Sequence, residues 1–546
     1  MVARLALLIV LLGPGVLLRP LSRRAVEIPL LAAAVWIVLF WWLRIIPLPW
    51  EYVAFALGVA TFAGGLWISR RPIDAGSALV WAVAAAVFAV LCTVTLVPPG
   101  VDGAMHTAVA RVLADSHGHP NGFRPLWPVD EFHSYPVGQP TLTALVMALG
   151  GLDARRAGLA GHAAAYSLVV IAFAAAVSRW ASWRTSGLLA GVVAVLAARA
   201  PLHFWTWGGA PNALGVAFAV AALAAGIDAL RGDRRSAAVC GLFAAASLLT
   251  HGVSVAALAW AAPPIVLVAL LLRPELRGGL RWLLASGALA LLLCAPYLAT
   301  IRPVLGPREL AWARETMRSS ATLASFPRAL HDVPLLAGAV AAILCLRDPA
   351  SRPRAAFPLA MLALLALLVL NGRTSTLPLS VLLYPDRIAV LALYPLALLA
   401  HDALSGRPRL GGAACIALLL HAGLLQARNL RSGREHALAT ANDLRALSDA
   451  DLPADCTTIN NYGDAGQWIP ALRARSITFP QINVLFFDEV ATVVHPCAAF
   501  RGETRPYHVD TVPCPGPACE SVLRVGGAEV FRISDPSFWV RIDAFR

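Results

Sequence analysis

Along this chain, apolar residues come in long runs separated by short polar loops. Runs near the ~20 residues that a helix needs to cross a bilayer extend over Val26–Pro47, Gly76–Val97, Gly158–Ser178, Asn212–Leu230, Val253–Leu272 and Trp282–Thr300. Shorter runs cover Val2–Leu18, Tyr52–Ser69, Thr185–Ala200, Ser236–His251, Val333–Leu346, Ala356–Leu370, Ile388–Ala400 and Leu410–Leu425. Together they predict a mainly α, polytopic transmembrane bundle of about 13 to 14 spans. The first run lacks a small-residue cleavage pattern before Arg19, so a retained anchor is expected rather than a cleaved signal. Thr141–Gly151 is only about half a span and reads as re-entrant or interfacial.

Beyond Arg428 the apolar density falls, so the chain divides into a membrane domain, 1–426, and a soluble domain, 427–546. In the second part, His436–Leu447 carries leucines at helical spacing. Ser476–Phe479, Asn483–Phe487 and Val522–Ile533 read as strands, the last broken by Gly526-Gly527 as in a hairpin. A small α/β domain follows, of ordinary size for independent folding.

Composition agrees, because 58% of residues are hydrophobic and only 14% charged. A soluble core of this length cannot hide so much apolar surface, and lipid must be the solvent for most of it. The net charge of +13 belongs to the membrane part, where 32 arginines face 17 acids, against 12 and 14 in the tail. Arginines lie in short loops rather than on one soluble face, which argues against a nucleic-acid partner.

Those arginines orient the bundle. Loops with Arg19, Arg23 and Arg24, with Arg70 and Arg71, with Arg179 and Arg184, with Arg231, Arg234 and Arg235, and with Arg273, Arg277 and Arg281 are predicted to be cytoplasmic. The loops with Arg347, Arg352 and Arg354 and with Arg407 and Arg409 join them. The large loops 98–157 and 301–332, the segments 203–209 and 371–387, and the tail then face the other side; Arg155 and Arg156 count against this parity. Cysteines offer an independent sign: Cys456, Cys497, Cys514 and Cys519 all lie in the tail, an even set that suits two disulfides outside the cell.

Ionisable groups at membrane depth are costly and point to function, so the span ends on the outward side hold the candidates. Asp102 and His106 follow a Pro98-Pro99-Gly100 break and share a helix face at a spacing of four. A carboxylate there can take a proton from an acceptor hydroxyl or bind a divalent cation such as Mg or Mn beside His106, although it can equally be a plain N-cap. Further along the loop, Asp130, Glu131, His133 and Tyr135 gather before Pro136-Val137-Gly138-Gln139-Pro140, either as site residues or as solvated loop groups. His251 and Arg387 stand at span entries on the same side. A guanidinium at that depth can grip a lipid-borne phosphate in two-pronged fashion, or snorkel, or pair with Asp386.

Trp205 and Trp207 fit an interfacial belt. Residues 302–318, with Arg302, Arg308, Arg314 and Arg318 around Leu310, Trp312 and Met317, predict an amphipathic surface helix. His162 and His421 read as interhelical contacts, and Asp228 as a partner of the Arg231–Arg235 cluster. Asn460–Pro470, with turn formers around Trp468, reads as either a carbohydrate-facing loop or an ordinary one. Walker A, GxSxG, HExxH and strand-linked GxGxxG patterns are missing from the sequence, which argues against a nucleotide-driven pump, a serine hydrolase and a zincin.

Asp102 with His106 just after a span, Tyr135-Pro136-Val137-Gly138-Gln139-Pro140 opening a short apolar segment, Gly208-Gly209-Ala210-Pro211-Asn212, the Arg387 span entry and Asp464–Pro470 together resemble the GT-C superfamily of membrane glycosyltransferases, in its uncharacterised bacterial members. The resemblance implies a multi-pass protein of the bacterial plasma membrane that takes a sugar from a polyprenyl-phosphate donor. The acceptor would be a glycan, lipid or protein outside the cytoplasm. It places the acceptor-activating or metal-binding acid on Asp102, with His106 and Glu131 beside it as catalytic candidates. Asp130, His133, Tyr135, His251 and Arg387 are then the substrate-binding candidates. Many members carry paired acids at this position, whereas Gly103 follows Asp102 here, so Asp130 or Glu131 is left as the second carboxylate. A lipid or glycan transporter and an envelope-assembly scaffold are the competing readings; the first predicts internal inverted repeats, which the chain does not display.

Overall fold

The computed structural model describes residues 2–543 except 23, 47, 69–72, 121, 124–125, 127–135, 182–183, 301–306, 375–376, 378–382, 406, 452, 454, 462, 476, 478–490, 495, 504–518 and 535–539. Asp130, Glu131, His133 and Tyr135 of the sequence analysis lie outside the described residues, as do Arg302 and Cys514.

Among the described residues, nine helical segments are long and apolar enough to cross a membrane. In lipid the backbone must satisfy its own hydrogen bonds, so apolar runs of this length become helices. Ala25–Trp42, Ala154–Trp180, Ala210–Leu230 and Pro385–Leu404 are mostly buried and form the centre. Ala75–Val94, Gly252–Leu272, Pro274–Leu293, Arg352–Asn371 and Arg409–Glu435 present more of their length outward. Val2–Ser22, Trp50–Ile68, Arg184–Ala197, Arg234–Leu248 and Asp332–Arg347 form further helices where the apolar pattern placed them. The half-span becomes the buried helix Gly138–Gly150, packed against Gly100–Asp115 and Ala154–Trp180.

At one end of the bundle, several arginine loops are tied together through carboxylates. Arg179 grips Glu27 with Nε and Nη2, both at 2.7 Å, and reaches Asp228 with Nη1 at 2.7 Å. Asp228 also accepts from Arg231 at 3.0 Å, as the sequence led us to expect, and lies 3.7 Å from Arg24. Three segments distant in sequence, around residues 24–27, 179 and 228–231, are thereby pinned together.

Among the described residues the tail carries six strands: β1 Thr457–Ile459, β2 Ala491–Val494, β3 Pro496–Arg501, β4 Cys519–Val525, β5 Ala528–Ile533 and β6 Val540–Asp543. One sheet has the order β1-β3-β5-β4, with β1 and β3 parallel and the other pairs antiparallel; β2 and β6 form a second, antiparallel pair. The expected hairpin turns at Gly526-Gly527 between β4 and β5. The helical run settles as Ala441–Asp449, started by a capping box between Thr440 and Asp443. Cys456 and Cys497 form a disulfide, and Cys519 is disulfide-bonded as well.

The tail rests on the helix that bears Asp102. Pro408–Glu435 ends beside the start of that helix, where the Gly100 amide donates to His436 O at 3.1 Å. The turns Ala465–Trp468 and Ile469–Arg473 then pack on Gly100–Asp115. Trp468 is fully buried in this junction, so the Asn460–Pro470 segment is not an open sugar-facing loop but part of the tail's seat.

Candidate active site

The site is built around a sharp junction. Pro98 and Pro99 prevent the preceding span from continuing, and the chain restarts as a helix at Gly100, with Asp102 in its first turn. Opposite it, the turn Leu202–Trp207 ends at Gly208, whose φ of 85° is left-handed. A side chain at Gly208 would collide with the Gly103 amide, and one at Gly100, φ 73°, would collide with the Trp207 backbone. Two glycines thus let the two backbones touch, which sets Trp207 beside the Asp102 turn.

Arg387 enters from a third direction, at the start of Pro385–Leu404. Its guanidinium carbon lies 4.6 Å from the Tyr384 ring centroid and 5.3 Å from that of Trp207. Nη1 is 3.5 Å from His251 Nε2, and the Asp102 carboxylate acts on its charge. Asp386 turns the other way and pairs with Arg328 at 3.1 Å, so the internal Asp386–Arg387 pair weighed from sequence is not the arrangement adopted.

His106, four residues after Asp102, is buried against His162, with ring centroids 6.3 Å apart. Burial, and then the neighbouring His162 and His251, hold the His106 imidazole well below its ordinary pKa, and burial and Arg387 do the same to His251. Asp102, His106, His251 and Arg387, proposed separately from sequence, therefore converge on one place at one end of the bundle. As for the possible cation, no group of three or more His, Cys, Asp or Glu is arranged to hold a metal among the described residues.

Next to Arg387 opens a cavity of about 350 Å³ whose lining includes Arg199, Arg328, Arg387, His203, Tyr384 and Trp207. Three guanidiniums against the single carboxylate of Asp386 make it an anion receptor by composition. Burial, then Arg199, lowers His203 to about 4, so its ring stays neutral there. Arg199 and Arg328 were not singled out from sequence. Arg199 follows an apolar run and looks like any span-end arginine; only the pairing of its strand of backbone with residues 329–330, through Ala200 N to Ala329 O at 2.8 Å, brings it opposite Arg328.

Below this cavity, along the same three elements, lies an apolar one of about 360 Å³. Ala197, Pro334 and Leu393 line it, each a few residues deeper than Arg199, Ala329 and Arg387 of the cationic chamber. Gly338, Gly411 and Gly412 are among its lining residues, Gly338 admitting the Leu396 side chain at close range.

No protein-family model matches the chain, and no curated protein matches it in sequence. Solved structures do. The chain is similar to the Archaeoglobus fulgidus oligosaccharyltransferase in the apo form, with a TM-score of 0.46 and 12% identity over 73% of this chain and 64% of that one. AglB of the same organism, in complex with an inhibitory peptide and a dolichol-phosphate, gives 0.45 and 12% over 73% and 63%. ArnT from Cupriavidus metallidurans bound to undecaprenyl phosphate gives 0.41 and 16% over 83% and 97%. The chain spans less than two thirds of the archaeal chains it matches. With overlap and identity this low, what the chain does is read from its own residues.

Proposed function

We propose that this chain is an integral membrane glycosyltransferase that moves a sugar from a polyprenyl-phosphate donor to an acceptor outside the cytoplasm. The observation that carries the reading is a chamber lined by three arginines, in which Trp207 packs on the helix turn that leads to Asp102 and Arg387 feels the Asp102 charge. That chamber opens above an apolar groove on the same helices. A phosphate on a long isoprenoid chain has the matching chemistry: an anionic head for the guanidiniums and a long, methyl-branched apolar tail for the groove.

Transfer then needs two events at the anomeric carbon. The Asp102 carboxylate takes the proton of the acceptor hydroxyl, and the acceptor oxygen forms its bond to that carbon from the face opposite the phosphate. The carbon–oxygen bond to the phosphate breaks, and the electron pair leaves with the prenyl phosphate. Negative charge growing on that oxygen is met by Arg387, Arg199 and Arg328, fixed in advance by the fold. One displacement inverts the anomeric configuration. His106, neutral and buried one helical turn further along, is assigned the role of positioning Asp102.

The test is a reconstitution. Full-length protein in proteoliposomes receives synthetic polyprenyl-phosphate hexoses and pentoses together with an envelope extract as acceptor, and release of prenyl phosphate is followed. Release that is lost in Asp102→Asn and in Arg387→Ala supports the proposal. Full release in Asp102→Asn removes its central step.

A further inference from the structure

Sugar transfer changes the charge of the phosphate that the cationic chamber holds. In the donor the phosphate is joined to two carbons, a diester with a single negative charge. Once the bond to the sugar breaks, the same group is a monoester of about −1.5 to −2 at neutral pH. Guanidiniums that meet charge growing in the transition state therefore hold the finished product more firmly than the donor. A purely cationic chamber would be slow to empty, and product release limits the turnover of many enzymes.

This chamber is not purely cationic. Among the described residues Asp386 is the one carboxylate in its lining, against Arg199, Arg328 and Arg387. Asp386 Oδ1 accepts from Arg328 Nη2 at 3.1 Å and from Nε at 3.3 Å. Arg328 has other anchors, because Nη2 also donates to Ser320 O at 3.0 Å and to Ser325 Oγ at 2.9 Å. The side chains of Arg328 and Asp386 are 48% and 49% exposed, and so open an ion pair adds little stability. Its effect on an anion inside the chamber is larger. A cavity of about 350 Å³ is ~9 Å across if round, so an anion in it lies within about one Debye length of every wall. His203, lowered to about 4 by burial and then by Arg199, is neutral, and so is Tyr384, whose phenol is raised by burial. The walls thus carry three positive charges and one negative charge.

We infer that Asp386 sets the charge of the chamber so that it holds a singly charged phosphodiester and lets the more highly charged monoester go, in the transfer proposed above, on which this assignment rests. The carboxylate repels every negative charge that enters. At this separation one unit of wall charge changes affinity by ~10-fold for each unit of ligand charge. The diester meets that repulsion once and the monoester nearly twice, so the preference for product over donor is lowered by ~10-fold. Arg387 and Arg199 still grip the donor, and Arg328 is the guanidinium whose charge is offset.

The experiment measures binding of two lipids to the full chain in nanodiscs: geranylgeranyl phosphate and its monomethyl ester, a diester of single charge. At about pH 7.5 the monoester is mostly doubly charged. The quantity read is the ratio of the two dissociation constants. Asp386→Asn keeps the shape and an acceptor oxygen, and should shift the ratio toward the monoester by ~10-fold with a Tm close to wild type. Arg328→Gln should shift it the other way. The double variant should bring it back toward the wild-type value, because the net charge of the walls is then restored. In turnover with a polyprenyl-phosphate sugar, inhibition by geranylgeranyl phosphate should deepen in Asp386→Asn in the same proportion. A ratio that Asp386→Asn leaves unchanged, or that the double variant leaves displaced as far as either single one, overturns the inference while the transferase stands. Wild type that binds neither lipid phosphate instead overturns the function beneath it, and the role of Asp386 falls with it.

Discussion

Nη1 of Arg387 lies 3.5 Å from Nε2 of His251, whose other nitrogen, Nδ1, accepts the Val253 amide at 3.3 Å as the cap of Gly252–Leu272. A neutral imidazole carries one proton, so acceptance at Nδ1 puts that proton on Nε2. Arg387 and His251 then present two donors side by side, which under the proposed function would share one phosphate oxygen of the donor.

His251 thus has separable duties. His251→Asn keeps a side-chain acceptor at the helix start, because asparagine is a good N-cap, but loses the Nε2 donor. Its Tm in detergent should stay close to wild type while kcat/KM for prenyl-phosphate release falls ~10- to 100-fold. A parallel loss of both would assign His251 to folding alone.

Arg387 is stacked as well as charged, with the Tyr384 and Trp207 rings at 4.6 and 5.3 Å. Lysine keeps the charge but neither the planar fork nor the stacking. Arg387→Lys should raise the donor KM by about tenfold or more and lower kcat as well, as a steady-state titration with lipid donor will read. Wild-type kinetics in this variant would reduce Arg387 to a snorkelling cation.

At the opposite end of the bundle, Arg179 holds Glu27 and Asp228 with almost no exposure of itself or of Glu27. Arg179→Met leaves the Glu27 carboxylate buried and unpaired, a loss of about 3–5 kcal/mol. Thermal or denaturant unfolding should show it, and the double variant with Glu27→Leu should recover most of the loss. Asp228 keeps Arg231 and Arg24 in either case.

Asp464 links the tail to pH. Burial pushes its carboxyl up to about 6, against the pull of the Gly466 and Gly502 amides at 2.7 and 3.1 Å and of Asn461 Nδ2 at 3.2 Å. A folded pKa above the unfolded value of ~3.9 means that the folded state binds the proton more tightly. Its contribution is therefore fully present below about pH 4 and is lost as pH rises through about 6, a change of about 3 kcal/mol. Asp464→Asn should remove that slope between pH 4 and 6 from the unfolding profile of the full chain; an unaltered slope would assign it to other groups.

The helical membrane part, the C-terminal hairpin and the disulfide-bearing tail were legible because each leaves a local mark: unbroken apolar length, a Gly-Gly turn between alternating residues, and an even set of four cysteines in a small polar segment. Asp102, His106, His251 and Arg387 were legible as isolated oddities, since ionisable groups at span ends stand out wherever they fall. Arg199 and Arg328 did not stand out, being arginines among many in a chain with 44 basic residues. Trp468 was misleading, because a tryptophan among turn formers looks exposed until the tail is seated on Gly100–Asp115.

Length and hydropathy dictate which segments become helices, for within a single apolar run in lipid the helix is how the polar backbone satisfies its own hydrogen bonds. Which helix ends meet is settled only by packing across the whole bundle. Gly208 must lie against Gly103, Arg179 must tie Glu27 to Asp228, and residue 200 must pair with residue 329 before Arg387, Arg199 and Arg328 face one chamber beside the helix of Asp102. Contacts between residues up to hundreds of positions apart leave no periodic trace in the chain, so the partners declare themselves only once the helices are assembled.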